Sequence, residues 1–236
     1  MEQYGPKIVD FVKKNLNISN KVIFVTSGGC PPIPDVMEDS AQHKTCKETR
    51  EYGFNLIQNQ NIRTVVIGAS WNGYFVELIK PQISEGSRYY IADGNKKHYF
   101  SNGNGADLAL LKFEEFLHQI SKDKRVVLLL DNPISEHFNP KSYFEGNRMK
   151  EIKLKPYFDL VPINQDQILL KEKFIAIAKR QHVEYIDTTA MLCKENRCKA
   201  FSEDGRPIYK DSGHLRPYYV KENATFIDNL IASRPK

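Results

Sequence analysis

The stretch Val126-Val127-Leu128-Leu129-Leu130 is an uninterrupted apolar run that begins with two β-branched residues. A short run of this kind is typical of a strand buried on both faces of a parallel sheet, because each face then requires apolar side chains. Similar runs occupy residues 22–26, 64–67 and 183–186. We therefore expect four buried parallel strands in this chain.

Amphipathic segments separate these runs. They predict helices over residues 6–15, 47–60, 107–121 and 165–181, and a last helix over residues 218–232. Strands that alternate with helices indicate right-handed βαβ units, and hence an α/β fold whose parallel sheet is covered on both faces. No repeat, low-complexity tract or linker divides the sequence, so residues 1–236 are predicted to form a single domain.

Two longer stretches interrupt the alternation. Residues 85–105 contain the turn signal Asn102-Gly103-Asn104-Gly105 and predict either a hairpin or a long surface loop. Residues 133–162 are rich in proline, asparagine, lysine and aromatic residues, and they follow the run at 126–130 directly. Because open parallel sheets bind ligands at the carboxyl ends of their strands, we expect this second stretch to lie near a binding site.

Composition and charge argue against several classes of protein. The chain has 34 basic and 29 acidic residues, and the basic residues are scattered rather than gathered in a stripe, which argues against a nucleic-acid partner. No apolar run approaches the ~18 residues of a membrane span, and the first residues do not have the pattern of a signal peptide. No phosphate loop of the Walker type is present, and no histidine pair has metal-ligand spacing. We therefore expect no cofactor and no metal.

The four cysteines form two couples that are close in sequence, Cys30 with Cys46 and Cys193 with Cys198. Two disulfides are the natural interpretation if the domain lies in an oxidising compartment. A zinc site is a rival interpretation, although the Cys-x-x-Cys spacing that favours zinc is missing. Free buried thiols in a cytosolic protein are a third.

The segment Asp211-Ser212-Gly213-His214-Leu215 contains the clearest candidate for catalysis. An aspartate three residues before a histidine on a loop can orient the imidazole that serves as general base for a serine nucleophile. The alternative is an ordinary turn aspartate and a surface histidine. The position favours the catalytic interpretation, because Pro217 is placed to open a terminal helix just after the pair. The serine nucleophile that such a pair would serve is missing.

Three further residues are candidates for holding an oxyanion. Gly28 and Gly29 follow the run at 22–26, where glycine permits close approach of the backbone to a ligand, although a tight turn explains them equally well. Asn72 follows the run at 64–67, and its amide can point at a developing negative charge. The neighbouring Trp71 can instead be a packing residue.

Several of these elements, in this order, resemble the SGNH domain. More narrowly, they resemble the periplasmic SGNH domain fused to membrane-bound acyltransferases of the family-three type, which O-acylate bacterial surface polysaccharides. The resemblance covers nearly the whole chain. It rests on the Cys-Pro-Pro element at Cys30, the second cysteine, the Trp-x-x-Tyr element of Trp71 and Tyr74, the loop from Cys193 to Cys198, and the Tyr-x-Asp-x-x-His-Leu element that ends at Leu215.

The resemblance implies a three-layer α/β/α sandwich with a flavodoxin-like sheet. It makes Asp211 and His214 the acid and base of a catalytic triad, and Gly28 or Gly29 the glycine whose backbone amide holds the oxyanion. Asn72 is a loose match, since the family pattern elsewhere is Gly-x-Asn-Asp. Arg216 is a further departure, because a small hydroxyl residue commonly follows the His-Leu pair.

The family's first strand ends in Gly-Asp-Ser-His, and sequences like Glu2-Gln3-Tyr4-Gly5-Pro6 often follow it. By this resemblance the chain begins just past the nucleophile, as an N-terminally truncated domain without its central strand. Unpaired strand edges cost on the order of 1 to 3 kcal/mol per buried group. We therefore expect the chain alone to be marginally stable or aggregation-prone, unless another chain supplies the strand.

The implied function is acyl transfer or ester hydrolysis on a cell-surface glycan. Its partners are an acyl donor, a glycan acceptor and the membrane acyltransferase domain of a longer protein. The location is then periplasmic, or cytoplasmic if Met1 is the true start. Phe138, Tyr143 and Phe144 are expected to line the glycan groove. The alternatives are a glycan-binding or interaction module without turnover, and a flavodoxin-like binder of a phosphorylated cofactor, which the absence of a phosphate cradle disfavours.

Overall fold

The structure is a computed structural model that describes residues 2–15, 21–39, 45–76, 88–101, 104–147, 149–155 and 159–232. Its α-helices are α1 (Gly5–Lys14), α2 (Cys46–Ile57), α3 (Trp71–Phe75), α4 (Gly105–Ile120), α5 (Gln165–Arg180), α6 (Pro217–Asn223) and α7 (Phe226–Ala232). Its strands are β1 (Val36–Glu38), β2 (Thr64–Gly68), β3 (Tyr89–Asp93), β4 (Lys96–Tyr99), β5 (Arg125–Leu129), β6 (Phe144–Asn147), β7 (Lys150–Leu154), β8 (Leu160–Pro162), β9 (Glu184–Ile186), β10 (Cys193–Lys194) and β11 (Arg197–Lys199). Short 3-10 helices cover Glu2–Tyr4, Glu136–Phe138, Pro140–Tyr143 and Thr188–Met191.

The centre of the fold is a parallel sheet with the strand order β2-β5-β9. Val66 lies opposite Val127, and Leu128 lies opposite Tyr185. The predicted strands at 64–67, 126–130 and 183–186 are therefore confirmed, and so is the α/β class with a parallel sheet.

Alternate residues of the strands enter two separate apolar clusters. Val65 and Leu128 belong to a cluster that includes buried residues of α4 and α5. Leu129 belongs to a second cluster with buried residues of α1, α6 and α7, and Val66 packs against it. This division follows from the two-residue period of a strand, and it explains why the runs are apolar throughout.

The predicted strand at residues 22–26 is wrong. No strand is assigned there, and Val22, Ile23 and Phe24 are 42%, 56% and 44% exposed. None of residues 21–26 forms a backbone–backbone hydrogen bond to another described residue. The physical reason is a missing neighbour. In the described part of the chain β2 pairs only with β5, and no strand forms hydrogen bonds with residues 22–26.

The predicted helices agree with α1, α2, α4 and α5 to within a few residues. The last predicted helix, at 218–232, is interrupted, because α6 ends at Asn223 and α7 begins at Phe226. Ala224 leaves the helical conformation, and Asn223 donates its side-chain amide to the carbonyl of Tyr219 at 3.0 Å. Such side-chain bonds to the backbone compete with the next helical turn.

The stretch at 85–105 contains a hairpin, β3–β4, but its turn is not where the sequence signal predicts it. The turn is at Gly94 and Asn95, and Gly94 has the positive φ of 55° that glycine adopts without strain. Asn102 and Gly103 lie outside the described residues, while Asn104 precedes α4. Gly105 is needed for a different reason: a Cβ there would lie 2.2 Å from the carbonyl oxygen of His98.

Both predicted disulfides are present in the structure. Cys30–Cys46 joins the loop after residues 21–26 to the start of α2, and Cys193–Cys198 bridges β10 and β11. Since the four sulfur atoms are bonded in pairs, none of them is available as a metal ligand. Within the described ranges, no other group of histidine, cysteine or acidic residues can hold a metal ion, and no helix is long and apolar enough to cross a membrane.

Candidate active site

The loop that carries Asp211 and His214 is closed by its own backbone. Tyr209 and Leu215 form an antiparallel bridge at its base, and the amide of Lys210 donates to the carbonyl of His214 at 2.8 Å. The side chains of Tyr209 and Leu215 are buried in the cluster with α1, α6 and α7. Buried contacts therefore fix the base of the loop, while Asp211 and His214 at its tip are accessible to solvent.

Asp211 and His214 form an acid–base pair. Nδ1 of His214 lies 2.9 Å from both carboxylate oxygens of Asp211. The same carboxylate accepts the backbone amides of Gly213 at 3.0 Å and of His214 at 2.8 Å. With Nδ1 held in this way, Nε2 is left without a hydrogen-bond partner among the described residues. This is the orientation that a histidine general base needs.

The environment keeps Asp211 ionised. Partial burial raises the pKa of Asp211. The backbone amides of His214 and Gly213 and the His214 ring together lower it by more, so the pKa of Asp211 lies below its ordinary value. The side chain of Asp211 is 38% exposed and that of His214 is 66% exposed. A negative carboxylate beside an accessible imidazole stabilises the imidazolium that forms when the histidine takes a proton.

The candidate catalytic loop, residues 210–214, is docked on the residues that follow β5. The amide of Ser135 donates to the carbonyl of Ser212 at 2.9 Å, and Nδ2 of Asn132 donates to the carbonyl of Gly213 at 2.5 Å. A Cβ on Gly213 would lie 3.3 Å from the side chain of Ile134, so a larger residue there would press on the docking contact. The loop position is therefore set by the carboxyl end of β5.

The first turn of the chain reaches the same place. Nε2 of Gln3 donates to Oδ1 of Asn132 at 2.8 Å, and Oε1 of Gln3 accepts the amide of Leu215 at 3.1 Å. Gln3 therefore connects the start of the chain to both sides of the catalytic loop. The sequence interpretation missed Gln3 and Asn132. The position of Asn132 just after a predicted strand was a usable signal, whereas nothing local marked Gln3.

Asn72 is joined to the catalytic loop through Asn132. It lies in the first turn of α3 and is buried, its Nδ2 donates to the carbonyl of Asn132 at 3.2 Å, and its backbone amide donates to Oδ2 of Asp131 at 3.0 Å. Trp71 is a packing residue, since it is buried against Phe113 and its Nε1 donates to the carbonyl of Leu129. The structure thus brings Asn72 close to the Asp211 loop, and one hydrogen of its Nδ2 remains for a ligand.

Gly28 and Gly29 are not joined to that loop. They form a turn in which Gly29 has a φ of 72° and its carbonyl accepts the Tyr89 hydroxyl at 2.7 Å. Gly28 is exposed, and a Cβ on it would touch nothing within 4 Å. No hydrogen bond between described residues connects either glycine to Asp211 or His214, so their oxyanion role stays a prediction.

A small cavity of about 20 Å³ lies beside Asn72 at the carboxyl end of β5. Asp131, Gln167 and Lys171 are among the residues that line it. Burial raises the pKa of Asp131 to about 7, although the backbone amides of Asn72 and Asn132 act in the opposite direction. A cavity of this size and polarity holds about one water molecule. Asp131 is the third residue of this region that the sequence interpretation missed.

The predicted aromatic groove is mostly absent. Phe138 and Tyr143 are buried, with Phe138 stacked on Tyr209 at 4.2 Å and Tyr143 packed on Phe201 at 5.3 Å. Aromatic rings held in a core cannot stack on a sugar. Only Phe144 is exposed.

Two comparisons with known proteins bear on the family and the fold of this chain. A family model described as the SGNH domain (fused to AT3 domains) matches residues 8–228. Among solved structures, the periplasmic domain of the lipopolysaccharide acetyltransferase of Salmonella ser. Paratyphi A is similar, with a TM-score of 0.65 and 14% identity over 98% of this chain and 79% of that chain. At this identity the similarity concerns the fold alone. No curated protein sequence matches the chain.

Proposed function

The chain belongs to the family of SGNH domains fused to AT3 domains, and on that premise we propose that it is the serine-dependent acyl-transfer or ester-hydrolysis domain of a longer membrane acyltransferase. The observation that carries the proposal is the contact of 2.9 Å between Nδ1 of His214 and the carboxylate of Asp211, which leaves Nε2 available for a serine. The acceptor is a cell-surface glycan, in keeping with the lipopolysaccharide acetyltransferase whose periplasmic domain has a similar fold.

The serine comes from a segment that precedes Glu2. Two contacts support this, since Gln3 binds Asn132 and Leu215 and so holds the first turn beside the catalytic loop. A serine two or three residues before this turn would lie within a short distance of His214. The segment would also supply a strand between β2 and residues 22–26.

The added strand would complete a three-layer α/β/α sandwich. The sheet order would be residues 22–26, the supplied strand, β2, β5 and β9, which is the flavodoxin-like order. Two observations support this arrangement: among the described residues β2 pairs only with β5, and the β-branched run at 22–26 exposes Val22, Ile23 and Phe24. Each backbone group that gains a partner would contribute about 0.5 to 1.5 kcal/mol.

The reaction has two halves. The serine oxygen attacks the acyl carbonyl while Nε2 of His214 takes its proton, and the donor leaves with that proton, so an acyl-serine forms. A sugar hydroxyl, or water, then gives its proton to Nε2 and attacks the acyl-serine. The bond between the acyl carbon and the serine oxygen breaks, and Nε2 returns the proton to that oxygen as the acylated sugar, or the free acid, leaves. Asp211 stabilises the imidazolium in both halves. The backbone amides of Gly28 and Gly29 and Nδ2 of Asn72 hold the oxyanion.

The location and partners follow from this assignment. An acyl donor and a glycan acceptor meet at the site, and the membrane acyltransferase domain delivers the acyl group. Such a domain lies in the periplasm, where the two disulfides are stable.

Ester hydrolysis by the protein extended through the in-frame codons before Met1 tests the proposal. With 4-nitrophenyl acetate, His214→Ala is expected to lower kcat about 10³-fold or more, and Asp211→Asn about 10²- to 10⁴-fold. His118→Ala is the matched control, because His118 is exposed and bonded to Gln181.

One other function has a specific observation in its favour. No serine forms a hydrogen bond with the His214 side chain among the described residues, which suits a glycan-binding or interaction module that does not turn over substrate. A stop codon in place of the upstream segment, or an extended protein in which His214→Ala changes no rate, would favour that module and exclude the enzyme.

A further inference from the structure

The turn of Gly28 and Gly29 has two backbone amides available for a ligand. Gly29, with its φ of 72°, is the third residue of a four-residue turn, in which the amide of Cys30 donates to the carbonyl of Ser27 at 3.4 Å. Neither the Gly28 amide nor the Gly29 amide donates a hydrogen bond to a described residue. Backbone amides of this kind are the donors from which oxyanion sites are built.

A short series of contacts connects this turn to the start of the chain. The hydroxyl of Thr26, two residues before Gly28, donates to Oε1 of Glu2 at 2.5 Å. The next residue, Gln3, accepts the amide of Leu215 at 3.1 Å, directly after the candidate catalytic loop. The turn is therefore tied to the start of the chain, which is where the proposed function places the serine.

Tyr89 of β3 contacts both regions that are candidates for holding the oxyanion. Its hydroxyl donates to the carbonyl of Gly29 at 2.7 Å, and its ring packs edge-on against Tyr74 of α3, with 5.3 Å between the ring centroids. Asn72 lies two residues before Tyr74 in the same helix. Because Tyr89 is only 4% exposed, the core fixes the position of its ring.

Arg88 orients the Tyr89 hydroxyl. Nη2 of Arg88 donates to the hydroxyl oxygen at 2.6 Å, and a guanidinium cannot accept a hydrogen bond, so the hydroxyl proton is left for the carbonyl of Gly29. Nε of Arg88 pairs with the largely buried carboxylate of Glu38 at 3.0 Å. Hydrogen bonds in series strengthen one another. Burial raises the pKa of Tyr89 although the contact with Arg88 acts in the opposite direction, so the hydroxyl stays protonated.

We propose that Tyr89 is a positioning residue for the acyl-transfer reaction: its hydroxyl fixes the carbonyl of Gly29, and so orients the free amides of the turn toward the oxyanion. Its ring supports α3, which carries Asn72. This role rests on the proposed function and adds to it a residue that touches neither the substrate nor the serine. A tyrosine that only packs would need its ring and not its hydroxyl, so the two roles can be separated.

Tyr89→Phe tests this role in the protein extended through the in-frame codons before Met1, because the variant keeps the ring and removes only the hydroxyl. With 4-nitrophenyl acetate we expect kcat to fall about 10-fold and KM to change less than about twofold. The loss is smaller than the ~10²- to 10³-fold that follows removal of a direct oxyanion donor. In NMR spectra of the same protein, the amide signals of Gly28 and Gly29 should shift.

Tyr90→Phe is the matched control. Tyr90 is the next residue of β3, so its side chain lies on the opposite face of the strand. It is 8% exposed, and its hydroxyl forms no hydrogen bond to a described residue. This variant should keep kcat and both glycine signals at the values of the parent.

Three results would overturn the positioning role alone while the parent turns over substrate. They are a Tyr89→Phe variant with kcat within about twofold of the parent, a Tyr90→Phe variant that loses as much, and a fall in kcat without any shift of the Gly28 and Gly29 signals. An extended parent without turnover that depends on His214 would instead overturn the proposed function, and the role of Tyr89 with it.

Discussion

Residues 22–26 (Val-Ile-Phe-Val-Thr) and residues 126–130 (Val-Val-Leu-Leu-Leu) are both short, largely apolar runs, and they adopt different structures. The second segment forms β5, lies between β2 and β9, and is buried on both faces. In the first segment Val22, Ile23 and Phe24 are exposed, and no residue forms a backbone–backbone hydrogen bond to another described residue. The difference teaches that a β-branched run becomes a strand only where neighbouring strands supply both backbone partners and apolar cover.

Leu128→Ala should produce the largest effect, because Leu128 is fully buried at the centre of the paired region. We expect the free energy of unfolding to fall by about 3 to 5 kcal/mol, from lost apolar contact and the cavity that remains. Urea unfolding measures this loss, and we expect the m-value to stay unchanged. The control Leu111→Ala, on the exposed side of α4, should cost below about 0.5 kcal/mol. Equal costs for the two variants would mean that the sheet is not the stable centre of the fold.

The next largest effect on stability is its dependence on pH through Asp131, which directly follows residues 126–130. Its pKa in the folded protein, about 7, lies above the ordinary value of 3.8. Between pH 4 and 7 the unfolded chain therefore releases a proton that the folded chain keeps, so stability falls as pH rises through this window. We expect a loss of about 2 to 3 kcal/mol.

Asp131→Asn should remove most of that slope, as thermal or urea unfolding at several pH values can measure. Asp211 acts with the opposite sign, because its pKa is lowered and its contribution is lost only as pH falls below about 4. Comparing Asp131→Asn with the parent at each pH cancels the contributions of the other titrating groups, which both proteins share. A slope that persists in Asp131→Asn would contradict the assignment.

A smaller loss in the free energy of unfolding is expected for Asn132→Ala. This variant removes the hydrogen bonds by which the Asn132 side chain connects the loop of Asp211 and His214 to Gln3. The change leaves the Gly213 carbonyl and the Gln3 amide without their partner, at about 1 to 2 kcal/mol. Asn61→Ala, at an exposed turn, is the control and should be neutral. Urea unfolding checks the pair, and a neutral Asn132→Ala would show that the loop keeps its place by other means.

Ile23→Ala should have the smallest effect on the free energy of unfolding, a loss below about 0.5 kcal/mol in the 236-residue chain, because Ile23 is exposed. Ile67→Ala in β2 is the matched comparison, and it should cost about 2 to 4 kcal/mol since Ile67 is buried. If Ile23→Ala cost as much as Ile67→Ala, residues 22–26 would already be packed as a strand.

Sequence predicted what depends on local pattern. The three paired strands, four of the helices and the disulfide couples all follow from periodicity and spacing, and the Asp211–His214 contact follows from a separation of three residues on one loop. The turn of the β3–β4 hairpin was misplaced because two glycine–asparagine signals compete in one stretch.

What sequence missed depends on distant neighbours. Residues 22–26 had the right composition but no partner strand, and Phe138 and Tyr143 were taken for a groove because nothing in their sequence shows which core they enter. Gln3 acts on Asn132 and Leu215, which lie more than a hundred residues away in sequence. Such contacts exist only once the chain has folded.

Hydrogen exchange at residues 22–26 and in β2, measured with and without the in-frame segment before Met1, tests whether that segment forms a strand between them. We expect rapid exchange at residues 22–26 in the 236-residue chain. We also expect protection that rises about 100-fold or more at residues 22–26 and at the outer edge of β2 when the segment is present, with β5 protected in both proteins. Exchange at residues 22–26 that is equally fast in both proteins, or already slow in the shorter one, would contradict the insertion of a strand between residues 22–26 and β2.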